Sequence, residues 1–177
     1  MTLLAGLALL ALLVYLAWRP VTAYFKYRGE RLITCPDNHL PAAVLVDARQ
    51  AALTANVPGV PHRLRECSRW PEMGDCPQDC LCQVEADPES TRVTHIVSNW
   101  YDGKRCALCD EPIETLNFAD RRAAVLDPVG VTQEWNAVRP EELPQIFASH
   151  KPVCWNCHLA ATFRGRYSEL VTDRLEH

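Results

Sequence analysis

The chain has 177 residues, enough for one compact domain or two very small ones, and its 18 Lys and Arg against 22 Asp and Glu leave a net charge of −4. That balance excludes bulk binding to nucleic acid, which needs a basic face. Gly is sparse (7) and Pro frequent (13), so the chain should be built of short elements broken by turns, and nine Cys is an odd number that leaves at least one thiol outside any fully paired disulfide scheme.

Leu3 to Trp18 carries no charged side chain. About 17–20 helical residues cross a hydrocarbon core, so residues 1–18 are predicted to form a single transmembrane helix. Tyr15, Trp18, Tyr24, Phe25 and Tyr27 would be its interfacial aromatics. Val21-Thr22-Ala23 loosely fits a signal-peptide cleavage site, but the missing basic n-region and Arg19 favour an uncleaved anchor. No Lys or Arg precedes the span, whereas Arg19, Lys26, Arg28 and Arg31 follow it. The positive-inside rule then places the carboxyl-terminal bulk in the cytoplasm, with membrane lipid as the first partner. A reducing compartment makes clustered thiols metal ligands rather than disulfides.

Residues 19–40 read as a juxtamembrane connector carrying Cys35. Pro41 opens a predicted helix through Leu53, since Pro suits a helix start and Ala and Leu are strong formers. A loop from His62 to Gly74 carries Cys67 and Trp70, and Asp75 caps a short helix bearing Cys76, Cys80 and Cys82. Asp87-Pro88-Glu89 starts another helix, with Val93, Ile96, Val97 and Trp100 on one buried face and Gly103 at its end. Residues 41–103 are therefore expected to form a helical, Cys-rich subdomain.

Residues 104–177 read as a second subdomain. Lys104 to Ile113 encloses a tight turn around Cys106 and Cys109. Extended runs follow at Ile113–Phe118, Ala123–Leu126 and Val131–Trp135, the last two joined by the turn Asp127-Pro128-Val129-Gly130. A short helix near Pro144–Ser149 precedes Cys154, and a last helix starts at the second thiol pair. No internal repeat and no low-complexity tract is evident.

Cys106-Ala107-Leu108-Cys109 and Cys154-Trp155-Asn156-Cys157 are two C-x-x-C pairs, roughly 45 residues apart, that can close a tetrahedral cage around one metal ion. Knuckle, hairpin and a helix whose first turn supplies the last two ligands resemble treble-clef zinc domains over residues 104–170. That resemblance implies an α+β fold with a short β-hairpin and a structural zinc at Cys106, Cys109, Cys154 and Cys157. The same four thiolates could instead hold an iron–sulfur cluster. His158 turns the second pair into C-x-x-C-H, the attachment signature of c-type haem at Cys154, Cys157 and His158, with Met73, His62, His95 or His150 as a further axial ligand. Haem leaves the first pair unexplained, so His158 reads more simply as a solvated or capping helix residue.

Cys35, Cys67, Cys76 and Cys80 form a possible second metal site, with Cys76 and Cys80 at i and i+4 on one helix face, His39 as a substitute ligand and Cys82 left over. The competing explanation is a set of buried small hydrophobes. Arg121, Arg122, Arg164, Arg166 and Arg174 could form a basic patch, but Glu169, Asp173 and Glu176 interleave with the last three. Phosphate-loop, dinucleotide, zinc-protease and nucleophile-elbow motifs are absent, and no small-molecule substrate is evident. The expected function is a non-enzymatic, membrane-anchored zinc accessory or scaffold subunit of a larger membrane complex. A tethered electron carrier is the alternative.

Overall fold

The computed structural model describes residues 2–73, 75–114, 116 and 123–166. The run Ile113–Phe118 lies partly outside these, and Arg121, Arg122 and Arg174 lie wholly outside. The fold is α+β with two small sheets, and the chain divides into two compact units, 1–95 and 96–177, with the boundary inside a helix.

The first unit opens with helix α1, Thr2–Tyr27, which runs past Arg19 and Pro20 instead of ending at residue 18. Pro20 has no N–H, so the Leu16 carbonyl loses its helical donor. The Asn56 side-chain amide supplies the missing bond at 3.3 Å. At the far end of α1, the buried Arg31 guanidinium donates to the Lys26 carbonyl, and Arg92 donates to the Phe25 carbonyl at 3.0 Å. Cations at a helix carboxyl terminus satisfy its last carbonyls and complement the dipole. Arg31 also donates to the Pro88 carbonyl and to the Thr91 hydroxyl, which ties the turn at 88–91 to the helix end.

These contacts correct the transmembrane expectation. No helix among the described residues is long and apolar enough to cross a membrane. Residue 16 already lies beside the polar turn at Asn56, which leaves residues 2–15, about 21 Å of helix, against a hydrocarbon core of about 30 Å. The single-pass membrane localisation falls with the span, and the cytoplasmic orientation drawn from flanking charge has no anchor to rest on.

Strands β1 (Glu30–Thr34), β2 (Pro41–Val46) and β3 (Leu64–Cys67) form an antiparallel sheet in that order. The helix expected over 41–53 is thus a strand followed by α2, Ala48–Leu53. Ala42, Val44 and Val46 alternate into the core with period two, and Pro41 occupies the tolerated first position of the strand. The Asp47 carboxylate then caps α2 by accepting from the Arg49 and Gln50 amides. Helix α3 is Leu81–Ala86, so Cys76 sits in the preceding loop and Cys80 at the cap; the expected helix face carrying both does not exist. The 41–103 stretch is accordingly less helical than its composition suggests.

Helix α4, Val93–Tyr101, buries Val97 and Tyr101 and ends before Gly103 at φ 67°. In the second unit, β4 (Ala123–Leu126) pairs with β5 (Thr132–Glu134) on one side and with β6 (Lys151–Cys154) on the other, all antiparallel. Helix α5, Leu143–Ser149, leads into β6, which the sequence had not indicated, and α6, Trp155–Arg166, follows directly. Trp100, Tyr101, Trp135 and Phe147 form an aromatic cluster, within which the Trp135 indole donates to the Tyr101 hydroxyl at 3.0 Å and that hydroxyl donates to the Ala124 carbonyl.

Asn56→Ala should lower stability by about 1 kcal/mol. The loss should shrink in a Pro20→Ala background, where residue 20 regains an N–H for Leu16. Urea unfolding of the four proteins of this cycle measures the coupling.

Candidate metal centre

Four sulfurs meet in the second unit. The ligand atoms of Cys106, Cys109, Cys154 and Cys157 all lie within 4.8 Å of one another. The Cys109 and Cys154 sulfurs are 3.8 Å apart. Metal–sulfur bonds of about 2.3 Å in a tetrahedron give a sulfur–sulfur edge of about 3.8 Å. The separation is far above the ~2.05 Å of a disulfide. The set is therefore sized for one ion.

Each thiol is placed by local backbone chemistry. Cys106 opens a tight turn in which its amide donates to the Glu111 carbonyl and its carbonyl accepts from Asp110, both at 2.9 Å. Asp110 takes φ 58°, and its carboxylate is clamped by Arg105. A bridge between Arg105 and Pro112 closes the turn, and the Ala107 amide donates to the Pro152 carbonyl, fastening it to β6. Cys154 is the last residue of β6, and Cys157 falls in the first turn of α6. Strand and helix meet without a linker, so both thiols face the knuckle.

The electrostatics suit a cation. Burial pushes the Cys106 thiol up, but the amides of Cys154, Cys109 and Leu108 outweigh burial and bring it down to about 6. The Cys154 amide reaches that sulfur at 3.3 Å. Burial raises Cys154, against hydrogen bonds from Cys157 that lower it, and burial raises Cys157, which the neighbouring sulfurs raise further. Backbone dipoles thus favour the thiolate form at Cys106. A bound cation favours it at the other three as well.

His158 is buried rather than solvated. Its Nδ1 lies 2.9 Å from the Thr132 hydroxyl, its Nε2 lies 3.6 Å from the Glu134 carboxylate, and its ring leans on Trp155. Both ring nitrogens face β5, so the side chain fastens α6 to the sheet. That engagement, together with the turn of Cys154 and Cys157 toward Cys106 and Cys109, opposes the haem alternative. The same four thiols could hold either a single ion such as zinc or an iron–sulfur cluster.

Of the second predicted set, Cys35, Cys67, Cys76 and Cys80 all line one cavity in the first unit, whereas neither His39 nor Cys82 does. Comparison with protein-family profiles, curated proteins and solved structures finds no match.

His158→Ala leaves every thiol in place but frees α6 from β5. The expected loss is about 1–3 kcal/mol in denaturant unfolding, with metal content retained. Loss of the metal with unchanged unfolding would make His158 a ligand instead.

Proposed function

We propose that this chain is a non-enzymatic zinc protein in which the ion holds shape, and that it serves as an accessory or scaffold subunit of a larger assembly. The observation that carries this is the 3.8 Å sulfur–sulfur edge within a set of four converging thiols. Thiolates select a soft ion such as zinc, and four of them fill a tetrahedron, leaving no position for water or substrate. The sequence of knuckle, hairpin, strand and helix around the ion resembles a treble clef. A partner is supported by helix α1, where Leu7, Leu12, Leu13, Leu16 and Trp18 are all exposed, an apolar surface that another protein chain would cover.

The purified, reduced protein should carry zinc bound at Cys106, Cys109, Cys154 and Cys157. Cobalt in its place should show thiolate charge-transfer bands that azide or cyanide leave unchanged, since no position is open. A shift on adding either anion would indicate an open, catalytic metal. Red protein containing iron in place of zinc would assign electron transfer. Cys109→Ser or Cys157→Ser should release the ion and expose residues 123–166 to protease, checked by limited proteolysis and circular dichroism.

A further inference from the structure

The turn that presents Cys106 occurs twice in this molecule. In the first unit the Cys35 amide donates to the Leu40 carbonyl and the Cys35 carbonyl accepts from His39, both at 2.9 Å. His39 has φ 58°, the value found at Asp110. The residue before each Cys pairs with a Pro six positions after that Cys, Thr34 with Pro41 and Arg105 with Pro112. Residues 35–40 and 106–111 therefore share one backbone design. A second parallel follows, since β3 ends at Cys67 as β6 ends at Cys154. The two turns differ at their fourth residue, which is Cys109 in one and Asn38 in the other. A four-thiol site in the first unit needs its remaining ligands from elsewhere.

They come from the loop before α3. Gln78 adopts φ 64° and turns the chain between Cys76 and Cys80. Its side-chain carbonyl accepts from the Leu64 amide at 2.8 Å, which holds the loop against β3. The Gln83 side chain both donates to the Thr34 carbonyl and accepts from the Thr34 amide, at 2.7 and 3.0 Å. That pair fixes the start of α3, with Cys80 at its cap, beside the residue preceding Cys35. Ser68 holds the end of β3 by two bonds to Ala43, one through its amide and one through its hydroxyl. These hydrogen bonds thus fix the backbone segments that carry Cys35, Cys67, Cys76 and Cys80.

We propose that Cys35, Cys67, Cys76 and Cys80 form a second structural zinc site, which organises the first unit independently of the centre in the second. The four line one cavity of about 300 Å³, but among the described residues only the sulfurs of the second unit's four cysteines lie within 4.8 Å of one another, so zinc would draw these four inward from where they stand. Asp37, Asp75 and Asp79 also line the cavity, but thiolate softness favours zinc on the sulfurs over a hard cation on the carboxylates.

Zinc content of the full chain, reconstituted under reducing conditions and desalted, tests this. About two equivalents per chain are expected in the unaltered protein. About one should remain in the Cys35→Ser/Cys76→Ser protein, and about one in the Cys109→Ser/Cys157→Ser protein. A single equivalent in the unaltered protein that vanishes in the latter variant would overturn the second site and leave the first standing. A thiol titration of the unaltered protein avoids any dependence on how the variants fold. With both sites filled, Cys82 alone among the nine cysteines should react rapidly, and chelator should release the other eight. Rapid reaction of Cys67 and Cys76 in the zinc-loaded chain would contradict the proposal.

Discussion

Four sulfurs within 4.8 Å of one another cannot all ionise without a cation among them. Two unit charges 4 Å apart repel by about 4 kcal/mol at an effective dielectric constant of about 20. The polypeptide nevertheless directs three backbone amides at Cys106, an arrangement that favours the charged form. The apolar core beside the site is small, with Cys106, Ala124 and Val153 as its buried members. Burying a valine contributes about 1.5–3 kcal/mol, whereas structural zinc in small domains contributes about 10–16 kcal/mol. On these magnitudes a zinc ion bound at the four thiols would outweigh this small cluster in holding knuckle, sheet and α6 together.

One turn recurs in the two units, with different surroundings in each. In the second unit the knuckle supplies two thiols and the strand–helix junction supplies two more. In the site proposed for the first unit the knuckle would supply one, the end of β3 one, and the segment leading into α3 two. The polar side chains that surround these turns act on backbone rather than on solvent. Asn56 serves a carbonyl orphaned by Pro20, Gln83 serves Thr34, and Arg31 serves the end of α1. A small fold with little apolar volume uses such bonds to define where each segment stops.

Much of the metal centre was legible because C-x-x-C spacing is a local property that survives in any fold. The hairpin from Ala123 to Glu134 was legible for the same reason, since Asp127 and Gly130 fix its turn. What escaped depended on partners distant in sequence. Residues 41–46 are Ala- and Leu-rich enough to suggest a helix, and only pairing with β1 and β3 makes them a strand. Helix α1 runs on past Pro20, where Asn56, 40 positions away, bonds the Leu16 carbonyl, whereas the apolar run alone suggested an anchor. His158 follows a ligand in sequence and seemed free, but Thr132 and Glu134 claim it. The repeated knuckle was hidden because its two copies share only one Cys and one Pro; its signature lies in backbone angles.

X-ray absorption at the zinc edge of the Cys35→Ser/Cys76→Ser protein, which retains the centre at Cys106, Cys109, Cys154 and Cys157, tests the account most directly. A single shell of four sulfurs at about 2.3 Å and no lighter scatterer is expected. A nitrogen or oxygen in that shell, or fewer than four sulfurs, would contradict it.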